Sequence, residues 1–115
     1  MKEFPAFMRH PANAVQQPSP SSGLEGFVFE GRDGSQMVLW QCEKGGRSEM
    51  HTHDYDEYAV VLAGTFTGMI GDRRVVMKPG DECHIPAGTP HSGEYTPGYR
   101  AIDAFGGRRV RHQKN

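Results

Sequence analysis

The stretch Gly45-Gly46-Arg47-Ser48-Glu49-Met50-His51-Thr52-His53-Asp54-Tyr55-Asp56-Glu57-Tyr58-Ala59-Val60-Val61-Leu62-Ala63-Gly64 decides how this chain is read. Its last third, Tyr58 to Leu62, is a run of aromatic, β-branched and aliphatic residues closed by Ala63-Gly64, the signature of a strand ending in a turn. Ahead of it, His51 and His53 stand two positions apart. Alternate side chains of a strand share a face, so these two imidazoles point the same way, and in a closed barrel that way can be the interior. A Cα separation of roughly 6.5–7 Å lets two ring nitrogens reach one ion at about 2.0–2.1 Å each. The polar turn Asp54-Tyr55-Asp56 then swings the carboxylate of Glu57 back over the same point as a third ligand.

A second segment runs from Gly80 through Pro86 and Gly88 to His91. Pro86 and Pro90 fix φ while Gly88 permits a positive one, so the backbone is stiff where a fourth ligand, His91, has to be placed. Around these segments the chain consists of short apolar runs separated by turn signals every 8–12 residues or so, as an all-β sandwich or barrel requires. Strands are expected over Phe27 to Glu30, Gln36 to Cys42, Tyr58 to Leu62, Thr65 to Ile70, Val75 to Met77, Glu82 to Ile85 and Tyr99 to Phe105. No helix is expected. Where Glu57 faces inward, Ala59 and Val61 face inward too, and Tyr95 shares the parity of His91.

The two segments resemble the two motifs of the cupin superfamily, specifically its small single-domain barrels. The first matches at every spaced position and the second through His91; Tyr95 stands where many cupins carry Asn. The resemblance spans roughly Gly45 to Tyr95. It implies a double-stranded β-helix, a jelly-roll barrel with a metal in its mouth, often as a homodimer. Carried over residue by residue, the ligands are His51, His53, Glu57 and His91, holding one divalent transition metal per chain: Fe, Mn, Ni, Zn, Cu or Co. Three imidazoles and a carboxylate leave about two positions open on an octahedral ion. A metal-dependent enzyme acting on a small organic molecule is therefore expected, with dioxygenase, isomerase or decarboxylase chemistry and the Tyr95 hydroxyl as a catalytic group. The alternative is a small-molecule binding or sensory module without turnover.

With 115 residues the chain holds one ordinary domain, large enough to fold without metal or disulfide staples. A formal net charge of -1 gives no large field to attract nucleic acid or anionic lipid. No apolar run approaches the roughly 20 residues of a membrane helix, and the first residues lack the hydrophobic stretch of a secretion signal, so a cytoplasmic protein is expected. Cys42 and Cys83 form no CxxC pair and are read as reduced thiols.

The proline-rich segment 1–23 is expected to be an arm, either disordered or packed along the barrel or a partner through Phe4, Phe7 and Val15; its Gln16 to Ser22 stretch resists helix and ladder alike. Residues 24–107 are expected to form the barrel and 108–115 a solvated basic tail. Trp40, Met37, Met69, Cys83 and Phe105 are candidates for pocket wall or core. His84 is expected on the exterior, and Asp54 and Asp56 in solvent.

Overall fold

Along Gln36 to Cys42, Val38, Trp40 and Cys42 turn one way into the core while Met37 and Gln41 turn the other, the period of two that a half-buried strand imposes. The computed structural model describes residues 3–16 and 22–113. Its strands are β1 (Glu25–Glu30), β2 (Gln36–Cys42), β3 (Gly46–His51), β4 (Glu57–Ala63), β5 (Phe66–Ile70), β6 (Arg73–Met77), β7 (Glu82–Ile85), β8 (His91–Tyr95) and β9 (Tyr99–Phe105). They form a five-stranded sheet in the order β1-β2-β9-β4-β7 and a four-stranded sheet in the order β3-β8-β5-β6. Every pairing is antiparallel. The sheets enclose a core that includes Val28, Val38, Trp40, Val61, Met77, Tyr99, Ala101 and Phe105. This is the expected jelly-roll barrel.

Strands β2, β7 and β9 have the limits read from sequence, and β1, β4, β5 and β6 differ only at their ends. Apolar periodicity did not reveal β3 and β8, because Gly46 to Glu49 and His91 to Glu94 are polar or glycine-containing. Gly93 has a packing reason. A Cβ there would lie 2.1 Å from Cε2 of Phe66, so the bare backbone lets that ring lie flat across the inner face of the small sheet.

Both flanking segments belong to the barrel's packing. Phe4 is fully buried and Val15 lies in the core, whereas Phe7 is 77% exposed and takes no part. Two short 3-10 turns, Ala6–Arg9 and Pro11–Asn13, carry the arm, the only helical residues among those described in a chain read as having none. Ala14 then bridges to Phe27 and Val15 to His112. Of the stretch from Gln16 to Ser22, residues 17–21 lie outside the described residues, as do 1, 2, 114 and 115.

The solvated tail is corrected. Val110 is buried in the core, and the backbone beside it pairs with the arm, Gln16 N donating to Arg111 O at 2.9 Å and Gln113 N to Ala14 O at 2.9 Å. One apolar residue among basic ones suffices to dock the segment. Among the described residues, no helix is long and apolar enough to cross a membrane.

Truncating a fully buried phenylalanine typically costs about 3–5 kcal/mol, whereas an exposed one away from special features changes stability by no more than about 0.5 kcal/mol. Urea unfolding should place Phe4→Ala in the first class and Phe7→Ala in the second; equal effects would refute the arm's place in the core.

Candidate metal centre

Two of the four expected ligands face each other across a strand pair: His51 ends β3, His91 begins β8, and the two are register partners beyond a bulge between Ser48 and His51. Their ring centroids are 4.2 Å apart. His53 is reached differently. The expectation that it continues the strand two residues after His51 is corrected, because β3 stops at His51. The carbonyl of His53 leaves the ladder to accept from Gly88 N at 2.8 Å, so the turn before β8 holds the loop after β3. The His53 ring stacks on Tyr55 at 4.4 Å with the planes 4° apart and meets Phe105 nearly edge-on at 6.1 Å. Gly107 permits this, since a Cβ there would lie 2.4 Å from Cδ2 of Tyr55.

All three imidazoles are oriented through Nδ1. That atom lies 2.7 Å from Glu49 O in His51, 3.0 Å from Tyr55 O in His53 and 2.9 Å from Thr89 O in His91. A carbonyl only accepts, so Nδ1 donates in each case and the lone pair falls on Nε2, the tautomer a metal requires. One ring nitrogen from each histidine lies within 4.8 Å of the others, close enough for small side-chain adjustments to bring them onto one ion. His91 Nε2 is buried without a hydrogen-bond partner, an orphan that a metal would satisfy. The residues therefore fit a divalent transition metal.

Glu57 opens β4, and its carboxylate stands beside two of the three histidines: Oε1 lies 3.0 Å from His53 Nε2 and 3.5 Å from His91 Nε2. Burial alone would raise its pKa, but the neighbouring His91, Asp103 and His53 outweigh that and hold it at about 2. Asp103 behaves oppositely. Burial, then the charge of Glu57 beside it, pushes its carboxyl well above the ordinary value. Asp103 Oδ1 is buried and unpartnered. His51 is lowered chiefly by burial, whereas in His91 burial is outweighed by the Glu57 carboxylate beside it and the bond to Thr89 O, which raise it.

These groups open on a cavity of about 70 Å³ whose lining includes His51, Glu57, His91, Tyr95, Asp103 and Arg109. As one water needs about 10–15 Å³ of such volume, there is room for roughly five to seven water-sized groups. The far wall is aromatic: Tyr95 stacks on Tyr99 at 4.7 Å and tilts against Phe66 at 5.9 Å. The Tyr95 hydroxyl is hydrogen-bonded to Ser48 Oγ, and burial raises its pKa. Trp40, Cys83 and Phe105 line the cavity, and burial pushes the Cys83 thiol up to about 11.

The parity rule holds for Ala59 and Val61, both buried, and His84 is on the exterior. Met37 and Met69 are corrected: Met37 is 40% exposed, and Met69 lies outside beside Arg74 and Ser92. Asp56 is exposed but not merely solvated, since Oδ1 accepts from Ala87 N at 2.9 Å and Oδ2 lies 2.9 Å from His84 Nε2. Sequence reading missed Asp103 and Arg109. Alternation along Tyr99 to Phe105 contained the signal for Asp103, which shares the parity of Ala101 and Phe105.

The model of the cupin domain family matches residues 38–97. Among solved structures, KdgF from Halomonas sp. is 24% identical, with a TM-score of 0.71 over 83% of this chain and 86% of that one. The polyketide cyclase RemF from Streptomyces resistomycificus is 19% identical, with a TM-score of 0.70 over 96% and 81%. An oxalate decarboxylase from Bacillus subtilis is 21% identical, with a TM-score of 0.66 over 82% of this chain and 27% of that one. At these identities the likeness is one of fold. No curated protein matches the sequence.

Replacing His51 and His53 together by Ala should abolish stoichiometric metal binding, read by elemental analysis of untagged protein; retained tight binding would sink the assignment. Gly107→Ala should weaken binding about tenfold, the lower range for a disturbed ligand support. The chelated wild type should keep its strand circular dichroism, because the apolar core does not depend on an ion; collapse at room temperature would make the site structural.

Proposed function

The chain belongs to the cupin family, and from that premise we propose that it is a metal-dependent enzyme that moves a proton on a small carboxylate-bearing molecule, in isomerase or decarboxylase chemistry. The observation that carries this reading is Asp103: a carboxyl with a buried, unpartnered oxygen, lining the same small cavity as the ligand cluster. A divalent metal would be held by His51, His53 and His91 with Glu57, and would supply Lewis acidity toward a carbonyl or hydroxyl oxygen of the substrate.

The chain's own residues do the rest. Asp103 donates a proton to the substrate and, as carboxylate, takes one back, its raised pKa bringing it nearer the range in which an acid–base group works well. Arg109 lines the cavity, and among the described residues no carboxylate pairs with its guanidinium; it holds the substrate's carboxylate. Phe66, Tyr95 and Tyr99 exclude water from the apolar end, and Tyr95 is the further candidate for orienting substrate. The cavity limits what enters to a few heavy atoms. Dioxygenase chemistry is the second reading, favoured by a ligand set that leaves positions open on an octahedral ion.

Further parts of the reading rest on lesser observations. The free thiols Cys42 and Cys83 support a cytoplasmic location. Exposed Met37 and Tyr58, each register-paired with Ala104 on one outer row of the large sheet, support a homodimer.

Metal-loaded protein incubated in D2O with a panel of small 2-oxo and 2-hydroxy acids should exchange substrate C–H for deuterium or release carbon dioxide, followed by NMR. Asp103→Asn should keep the metal and lose about 10²–10⁴ in rate. Oxygen uptake without exchange would favour the dioxygenase, and a ligand-induced thermal shift without any turnover would mark a binding module.

Tyr95→Phe should retain metal and lower turnover about a hundredfold, as removal of one positioned donor does. An unchanged rate would leave Tyr95 as wall.

A further inference from the structure

Gln36, at the start of β2, is only 2% exposed, and its carboxamide is committed to one short segment 73 and 74 residues away. Oε1 accepts from Arg109 N at 2.8 Å and from Val110 N at 3.0 Å, while Nε2 donates to Val110 O at 3.1 Å. Only a side chain that accepts and donates from one planar group can make all three bonds; a carboxylate lacks the donor and a thioether has no comparable donor or acceptor. The segment needs such a clamp. After Phe105, the register partner of Gln36, the chain leaves the sheet through Gly106 and Gly107, and nothing in a ladder fixes where Arg109 stands. Val110 in the core anchors the following residue, and the arm holds Arg111 and Gln113 beyond it. Gln36 is the group that grips the backbone of Arg109 itself.

We infer that Gln36 is a positioning residue for substrate binding: its amide sets the backbone of Arg109 so that the guanidinium stands over the cavity. This rests on the reading of Arg109 as the group that holds a substrate carboxylate. Gln36 does not line the cavity, so it acts through Arg109 alone. Loss of the clamp leaves the metal ligands in place, because none of them bonds to the 109–110 segment. It leaves Arg109 free to swing into solvent, and a small carboxylate then binds as weakly as if the guanidinium were absent.

The test is a double-mutant cycle on cobalt-loaded full-length protein, with oxalate as the probe, its affinity taken from calorimetry and cobalt content checked for every variant. Arg109→Gln should weaken oxalate by about tenfold or more, the range of one charge-assisted hydrogen bond. Gln36→Met should keep cobalt and weaken oxalate by a comparable factor, and in the Arg109→Gln background it should add nothing. A Gln36→Met effect that persists undiminished in that background would overturn the inference, because the residue would then act through general structure. So would full oxalate affinity in Gln36→Met beside a weakened Arg109→Gln, which leaves the carboxylate reading standing. Full affinity in Arg109→Gln itself would overturn that reading and the inference with it. If Gln36→Met does not fold, Gln36→Asn keeps the amide one methylene too short to span the gap, and the same comparisons apply.

Discussion

The buried carboxylate of Glu57 is the constraint around which the rest is arranged. An unpaired buried carboxylate costs several kcal/mol, and here Oε1 stands 3.0 Å from His53 Nε2 and 3.5 Å from His91 Nε2. The pairing demands imidazoles with a defined face, which the three Nδ1 atoms secure by bonding to backbone carbonyls. Those carbonyls stay in place only while the loops stay in place. Hence Gly88 N binds His53 O and Ala87 N binds Asp56 Oδ1, so that two turns distant in sequence form one rigid frame at the barrel mouth.

What was legible from sequence follows from which forces leave a local trace. Strands with one buried face write a period of two, and β2, β7 and β9 were read to their limits for that reason. That His51, His53 and His91 come together was legible because their types and spacing follow a pattern suited to metal ligands. His53 shows the limit: its inward direction was read correctly, but the cause is the stack on Tyr55 and the bond from Gly88, neither of which alternation encodes. Asp103 carried the right parity, yet a lone acid in a strand gives no hint that Glu57 lies opposite. Arg109 was hidden by its neighbours, since Arg108, Arg109 and Arg111 look like a solvated terminus until Val110 is seen to be buried.

The ends of the chain illustrate the same point about long-range contacts. Composition alone separates a proline-rich arm and a basic tail from the barrel, yet Val15 and His112 pair with each other and Phe4 and Val110 are buried. Each segment is held by a few bonds to the other and to β1 or β2. A polar stretch can dock wherever one apolar anchor and a satisfied backbone are available.

The site divides between two parts of the chain. Its metal-ligand candidates come from the ends of β3, β4 and β8 and the loop between β3 and β4, positions tied into both sheets. Asp103 and Arg109 come from β9 and the segment after it, which also support the imidazoles through the Phe105 ring against His53 and the bare backbone of Gly107 beside Tyr55. The fold alone does not set the chemistry; the side chains that face the histidines do. The likeness to a KdgF, a polyketide cyclase and an oxalate decarboxylase, at 24% identity or less, is one of fold alone; what bears on this chain's chemistry is Asp103, Arg109 and the cavity between them and the histidines.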